Sequence, residues 1–274
     1  MTNADRDPRV APDSACNENT ANHGEERGAA VIEVQELIKR YDGHLAVDGL
    51  SFTVEPGQIL GLVGPNGAGK TTTLRCMTGV IPPTAGRVTI GGHDLAVRPV
   101  EAKRQLAFVP DEPRLFDYLT AWDHLTMMSR LYGVADGKQR GAALLEEFDL
   151  ADRRHAFPSE LSRGMKQKLM VAMALLHRPA AMVLDEPLTG LDPAAMRRMK
   201  DRVQRAAADG TAVILSSHML HLVEELCGSM VILSHGRKLL EGDLGQIRSA
   251  LPDLSGEADL EEIFIHATRG NDPR

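Results

Sequence analysis

Residues 57–73 run from a short apolar segment, GQILGLV, through a glycine-rich segment, GPNGAGK, into TTT. A near-continuous apolar run of this length is typical of a strand that is buried on both faces of a sheet. The glycines that follow let the backbone curl, so that several N–H groups converge on one point. The succession predicts a strand, a tight loop and a helix, an arrangement that holds a phosphate group.

The loop carries a specific pattern within this stretch. Gly64, Gly69, Lys70 and Thr71 match G-x-x-x-x-G-K-[ST] in the required context. The lysine supplies a cation for the β- and γ-phosphates, the helix N-terminus adds partial positive charge, and the threonine hydroxyl suits Mg²⁺. We therefore predict a nucleoside triphosphate site for ATP and Mg²⁺. Its predicted phosphate-binding residues are Gly64, Pro65, Asn66, Gly67, Ala68, Gly69, Lys70, Thr71 and Thr72.

Two acidic residues end the apolar strand pattern AAMVLDEP. Ligands of open α/β sheets lie at the carboxyl ends of the strands, so we expect Asp185 and Glu186 beside the phosphate loop. Asp185 is predicted to hold Mg²⁺ together with Thr71, and Glu186 to act as the general base that polarises the attacking water. The alternative is that both acids only cap the following helix.

The remaining strand and helix patterns predict an α/β fold. Residues 30–41 and 45–54 alternate as strands of a small antiparallel layer, and apolar runs at 180–187, 211–218 and 229–237 predict further strands of a parallel core sheet. Residues 97–165 carry helical patterns and predict an inserted helical subdomain. The domain boundaries that we expect are a disordered leader at 1–29, the ATPase domain at 30–251 and a helical tail at 252–274.

Helix ends are predicted from capping residues. Thr120 with Asp123 resembles a capping box, followed by a face of Leu125, Met128 and Leu131. Asp192 is the expected N-cap of a helix with Pro193 at its first position and Gly210 just past its end. Ser162 is the expected N-cap of another helix, whose buried face would contain Met165, Leu169, Ala172 and Met173.

Composition narrows the function classes. The net charge of −7 argues against a general nucleic-acid binder, which usually has a basic surplus. Cys16, Cys76 and Cys227 lack metal-ligand spacing and predict reduced thiols. The sequence has no apolar run long enough to span a bilayer, and the polar leader does not resemble a secretory signal.

Residues 160–193, ELSRGMKQKLMVAMALLHRPAAMVLDEPLTGLDP, resemble one particular family of phosphate-loop proteins, the ATP-binding cassette (ABC) ATPases. They contain the signature segment, the second acidic motif and the Asp loop (Leu191–Asp192) in that family's order and close spacing. Leu161, Ser162, Gly164 and Gln167 match the LSGGQ signature, with a shift in the second half of the motif. The resemblance covers roughly residues 31–241.

The resemblance implies roles for further residues. Tyr41 matches the aromatic residue that stacks on adenine, and His218 matches the switch histidine that contacts the γ-phosphate. Ser162, Arg163, Gly164 and Gln167 would contact the nucleotide held by a partner subunit, so that ATP closes a head-to-tail dimer with a second copy or a related ATPase subunit. The family also implies a separate membrane permease as partner and a cytoplasmic position on the inner face of the membrane.

Two positions depart from the family pattern. Asp111 stands where the family usually has a glutamine that contacts Mg²⁺ and the lytic water, and Arg163 replaces a signature glycine. A carboxylate ligates Mg²⁺ but cannot donate a hydrogen bond, so we expect the metal contact of Asp111 to persist and its water-positioning role to be in question. Arg163 would project toward phosphate or toward the partner subunit.

Segment 111–122, DEPRLFDYLTAW, concentrates aromatic residues in a chain that is only 4% aromatic. Trp122 is expected to pack in the subdomain core. For Phe116 and Tyr118 two readings stay open: core packing, or an exposed groove that accepts a helix of the permease.

The function that these features favour is the ATPase subunit of an ABC transporter, with GMKQKL and LEEIF resembling subunits of bacterial exporters, including drug-efflux systems. The alternative is a soluble ABC-type ATPase that acts on nucleic acid or ribosomes. Such proteins commonly carry two cassettes, a long coiled coil or zinc fingers, and this sequence shows one phosphate loop and an acidic charge, so no nucleic acid is expected. A phosphate-loop kinase of another family would leave LSRGMKQ unexplained.

Overall fold

Two β-sheets organise the part of the chain that the computed structural model describes, residues 30–251 and 258–269. The strands, in chain order, are β1 (Ile32–Tyr41), β2 (His44–Val54), β3 (Ile59–Val63), β4 (Ala85–Ile90), β5 (His93–Asp94), β6 (Leu106–Val109), β7 (Ala181–Asp185), β8 (Ala212–Ser216), β9 (Ser229–Ser234) and β10 (Arg237–Gly242). The predicted leader at 1–29 lies outside the described residues, as do residues 252–257 and 270–274 of the predicted tail.

Helices cover both faces of the larger sheet. In chain order they are α1 (Lys70–Met77), α2 (Pro99–Arg104), α3 (Ala121–Tyr132), α4 (Gly137–Glu147), α5 (Arg163–Leu176), α6 (Pro193–Ala208), α7 (Leu220–Leu226), α8 (Leu244–Ser249) and α9 (Leu260–Arg269). Across residues 30–251 and 258–269, no helix combines the length and apolar character that crossing a membrane requires.

The smaller sheet is antiparallel with the strand order β2-β1-β4-β5, and the larger has the order β10-β9-β3-β8-β7-β6. In the larger sheet all pairs are parallel except β9 with the edge strand β10. This confirms the predicted α/β class with a small antiparallel layer and a largely parallel core sheet. Strands β4, β5 and β10 were not predicted from the sequence.

The two faces of the larger sheet explain the continuous apolar runs. In β7, Met182 and Leu184 pack with helices α3 to α6, whereas Val183 between them packs toward α1 and the antiparallel sheet. Every residue of β3, β7 and β8 is buried. A third apolar cluster joins β9 to α7, α8 and α9, so the C-terminal helix is packed onto this end of the sheet.

The predicted caps form, with one correction on α3. Thr120 and Asp123 make the reciprocal capping box, and Asp192 and Ser162 accept N–H bonds at the starts of α6 and α5. Leu125 and Met128 of the predicted face pack in or against the core, but Leu131 does not: it is 68% exposed. Six residues after Leu125, it is turned about 120° away at ~100° per residue, because a helix has 3.6 residues per turn.

The region predicted as a helical subdomain, 97–165, also holds strand β6, which pairs with β7 in the larger sheet. The helices that follow β6 begin with α3 at Ala121. The four residues of β6, LAFV, form a short apolar run that is recognisable from the sequence as a strand.

The capping box of α3 gives the first testable expectation. Thr120→Ala removes the hydroxyl that accepts the Asp123 N–H at 3.1 Å, so it should lower the free energy of unfolding by about 1 kcal/mol. Thr126→Ala, the same change in the middle of the same helix, is the control and should be neutral or slightly stabilising, since alanine has the higher helix propensity. Urea unfolding followed by circular dichroism measures both; an equal change in the two variants would contradict the capping role.

Candidate nucleotide site

The phosphate loop, residues 64–69, is wedged between backbone of both sheets. A Cβ atom at Gly64 would lie 2.6 Å from the carbonyl oxygen of Leu233 in β9, and one at Gly69 would lie 2.5 Å from the carbonyl oxygen of Ala46 in β2. Gly69 also has φ +98°, in the left-handed region that favours glycine. The loop therefore requires glycine at both positions, and its tip, Asn66 and Gly67, is exposed.

The side chain of Lys70 folds back over this loop. Its Nζ donates to the carbonyl oxygens of Gly64 at 2.6 Å and Pro65 at 3.2 Å. Burial lowers the pKa of Lys70, while the nearby carboxylates of Glu186 and Asp185 act in the opposite direction. The ammonium group is thus held inside the loop, within the field of the two predicted acids. Thr71 and Thr72 follow in the first turn of α1, exposed and half-buried.

Strand register brings the acids to the loop. Asp185 at the end of β7 pairs with Ser216 of β8, which pairs in turn with Leu62 of β3, just before the phosphate loop. Parallel strands end at the same edge of a sheet, so residues that are about 120 positions apart in the chain meet at one edge. The predicted convergence of Asp185 and Glu186 on the loop is what the structure shows.

Asp185 is 3% exposed and faces other oxygen groups. Burial raises its pKa; the hydroxyls of Ser216 and Thr71 oppose this shift, and the negative charges of Glu186 and Asp111 add to it. A buried carboxylate among hydroxyl and carboxylate oxygens is stabilised in its charged form by a hard cation. The pair of Thr71 and Asp185 therefore fits Mg²⁺, and the loop that carries Asp111 starts beside it, because Val109 at the end of β6 pairs with Leu184.

Glu186 adopts a left-handed backbone conformation with φ +50°. Its N–H donates a hydrogen bond to the carbonyl oxygen of Ser216 at 2.9 Å, which holds this conformation in place. Its Oε2 accepts a hydrogen bond from Ser217 Oγ at 3.2 Å and lies 2.9 Å from Nδ1 of His218. Non-glycine residues in this region cost energy and are concentrated at functional sites. The contact from Ser217 was not predicted; only its position beside His218 in SSH pointed to it.

Tyr41 lies at the end of β1, where it pairs with His44 of β2, the strand that supplies Ala46 against the loop. Its ring is 41% exposed, and the Nζ of Lys39 lies 4.9 Å from the ring centroid. A partly exposed aromatic ring on the sheet that contacts the phosphate loop is compatible with the predicted stacking on a base.

The predicted signature residues lie at the start of α5, and three of the four are accessible. Ser162 Oγ accepts the N–H of Met165 at 3.2 Å, and Gly164 packs against the carbonyl oxygen of Gly190. Gln167 does not fit the prediction that it contacts a partner's nucleotide: it is 1% exposed. It lies one helical turn before the fully buried Val171, and so on the inward side of α5.

A family model described as "ABC transporter" matches residues 47–189, from β2 to just past the two acids. This chain belongs to the ABC transporter family. It is 34% identical over 242 residues to the ABC-type transporter ATP-binding protein EcsA of Bacillus subtilis, with 88% of this chain and 97% of that protein covered.

Further relatives of this family member are named for export and drug resistance. It is 40% identical over 215 residues to the Nod factor export ATP-binding protein I of Burkholderia thailandensis, covering 78% and 71% of the two chains. It is 35% identical over 258 residues to the daunorubicin/doxorubicin resistance ATP-binding protein DrrA of Streptomyces peucetius, covering 88% and 78%.

Solved structures agree with the architecture. The structure of an ATP-binding subunit of an ABC transporter superposes with a TM-score of 0.83 at 36% identity, covering 86% of this chain and 99% of the other. A dimeric ATP-binding cassette in a post-hydrolysis state, bound to ADP and phosphate, gives a TM-score of 0.73 at 21% identity and covers 78% and 98%. The latter supports the ABC fold alone.

The close packing at Gly64 gives a second expectation. Gly64→Ala should push the phosphate loop off the Leu233 carbonyl and weaken ATP binding at least about tenfold, or about 1.4 kcal/mol. Gly228→Ala is the matched control, because a Cβ there meets no atom within 4 Å, and it should bind ATP like the unaltered protein. Titration with a fluorescent ATP analogue measures both; unchanged affinity of Gly64→Ala would mean that the loop tolerates a side chain.

Proposed function

We propose that this chain is the ATP-hydrolysing subunit of a bacterial-type ABC exporter and drives a separate membrane permease. The observation that carries the proposal is Glu186, an acid at a strand end that is paired with Ser217 and His218 beside Asp185 and the phosphate loop. A carboxylate held by two neighbours in this position is suited to accept a proton from water.

The residues of this chain divide the work of hydrolysis. The loop N–H groups and Lys70 bind the phosphates, and Tyr41 stacks on the adenine. Thr71 and Asp185, with Asp111, would hold Mg²⁺, which would supply positive charge to offset that of the phosphates. Glu186 takes a proton from the water that attacks the γ-phosphorus as the bond to ADP breaks. His218 holds the Glu186 carboxylate in position and lies ready to contact the γ-phosphate.

The start of α5 is the proposed closing surface of the ATPase dimer. Ser162 and Gly164 lie in the first turn of a 14-residue helix, where free N–H groups and the helix dipole attract anions. We infer that this end covers the nucleotide held by a second copy or a related subunit. ATP then closes a head-to-tail dimer, and its hydrolysis releases it.

The loop before α3 is the proposed docking surface for the permease. Phe116 is 61% and Tyr118 92% exposed, whereas Leu115 and Trp122 pack against the core. His124, fully buried, accepts the Phe116 N–H at 2.9 Å and its ring stacks with the Phe116 ring at 6.0 Å. His124 thus anchors the loop to the subdomain core while the two aromatic rings stay exposed, which suits them to bind a partner. Binding to the permease would hold this subunit on the cytoplasmic face of the membrane.

Export is favoured over import by the names of two relatives. One is a Nod factor export ATP-binding protein, and the other is a daunorubicin/doxorubicin resistance ATP-binding protein. Compounds that stimulate the ATPase activity of the assembled complex would identify what this protein's permease carries.

The general base is tested by Glu186→Gln. Removal of the proton acceptor should reduce ATP turnover roughly 10²–10⁴-fold while ATP still binds, and the variant should accumulate as an ATP-dependent dimer on a sizing column. Glu101→Gln, an exposed acid of α2, is the control and should turn over ATP normally. Turnover of Glu186→Gln at the unaltered rate would remove Glu186 from the mechanism.

The docking surface is tested by the double variant Phe116→Ala with Tyr118→Ala. Both rings are exposed, so the isolated subunit should keep its unfolding temperature and basal ATPase, while binding to the permease weakens by about 2 kcal/mol or more. Leu131→Ala, another exposed apolar side chain of the same region, should leave permease binding unchanged. The measurement is purification of the tagged subunit from membranes, followed by identification of the proteins that come with it. The assignment would be contradicted if the double variant still retained a polytopic membrane protein, or if the unaltered subunit recovered ribosomes instead of such a protein.

A further inference from the structure

The two positions that depart from the family pattern contact each other. Nη2 of Arg163 lies 3.4 Å from Oδ1 of Asp111, and the two residues are 52 positions apart in the chain. Their side chains are 57% and 53% exposed. The ion pair joins the loop after β6 to the first turn of α5, and so links the proposed metal site to the proposed closing surface.

Arg163 occupies an unfavourable place for a cation. It is the first residue of α5, directly after the N-cap Ser162, where the helix dipole favours negative charge. Its stem lies over Gly190, with Cδ and Nε 3.6 and 3.7 Å from the position of a Cβ there. The Asp111 carboxylate offsets the repulsion, so it is the contact that keeps the guanidinium turned toward the metal site.

Asp111 also lies beside the proposed Mg²⁺ site. It follows by two residues Val109, the last residue of β6, which pairs with Leu184 of β7 immediately before Asp185. One carboxylate thus stands between a guanidinium and the place of a divalent cation. Exposed ion pairs contribute at most about fivefold to an equilibrium constant, so a divalent cation that needs this carboxylate can displace the arginine.

We propose that Asp111 and Arg163 form an exchangeable ion pair in which Arg163 competes with Mg²⁺ for the Asp111 carboxylate. Binding of the metal with ATP takes Asp111 and frees Arg163 at the N-terminus of α5, on the surface that closes over a partner's nucleotide. Arg163 is then a positioning residue that couples metal loading to dimer closure. This inference rests on the proposed function.

If the two residues exchange as proposed, the effect of Arg163→Gln on Mg²⁺ dependence should require the Asp111 carboxylate. Arg163→Gln removes the competitor, so the Mg²⁺ concentration that half-saturates ATP binding should fall roughly two- to fivefold. Asp111→Asn should raise that concentration, and the double variant should behave like Asp111→Asn alone. Arg114→Gln is the matched control: it removes a guanidinium from the loop that carries Asp111, and Arg114 is 81% exposed and lies 4.0 Å from Glu112. It should leave the midpoint unchanged.

The measurement is Mg²⁺ titration of fluorescent ATP-analogue binding, together with amide hydrogen exchange of residues 110–119 in the nucleotide-free protein. Loss of the pair should speed exchange equally in Arg163→Gln, Asp111→Asn and the double variant. The proposal is overturned if Arg163→Gln shifts the midpoint as strongly in the Asp111→Asn background, or no more than Arg114→Gln does. ATP binding that ignores Mg²⁺ in the unaltered protein would instead refute the proposed function, and the exchange data would still decide whether the pair exists.

Discussion

The close contact of the phosphate loop with its neighbours is the constraint on which the rest of the structure depends. Gly69 meets the antiparallel sheet at Ala46, and Gly64 meets the parallel sheet at Leu233, each at a distance that excludes a side chain. The N–H of Gly236, in the turn between β9 and β10, also donates to the carbonyl of Ala68. The two sheets therefore meet at the loop, and a change in their relative position would deform the nucleotide site.

Much of the fold follows from local pattern. The buried strands β3, β7 and β8 are visible as apolar runs, and the caps at Thr120, Ser162 and Asp192 mark helix starts because their side chains satisfy N–H groups only a few residues away. Strands β4, β5 and β10 escape prediction because they are short or mostly exposed and form by pairing, β4 with the distant β1, and β5 and β10 with the strand just before each of them. Local sequence carries little information on such pairing.

The candidate site divides in the same way. The phosphate loop and the two acids could be predicted, since the motif is local and parallel strands end together. The burial of Gln167 could not be predicted, because it depends on which side of α5 faces the core. The motif alone predicts that this residue lies on the surface. The contact of Arg163 with Asp111 joins two loops whose proximity only the folded chain reveals. Each departure is visible in the sequence, but nothing local to either position indicates that the two side chains meet.

The position of Lys70 has a consequence for the strength of nucleotide binding. Its ammonium group is bonded to two carbonyl oxygens of its own loop, so a triphosphate must draw it away from these acceptors as it enters. Association is therefore an exchange of hydrogen bonds, and the measured affinity reports a difference between two well-satisfied arrangements. In return the lysine gives up little rotamer freedom, since it is already confined to the loop. The strength with which the loop binds a phosphate therefore depends on how much better phosphate oxygens satisfy the Lys70 ammonium group than the carbonyls of Gly64 and Pro65 do.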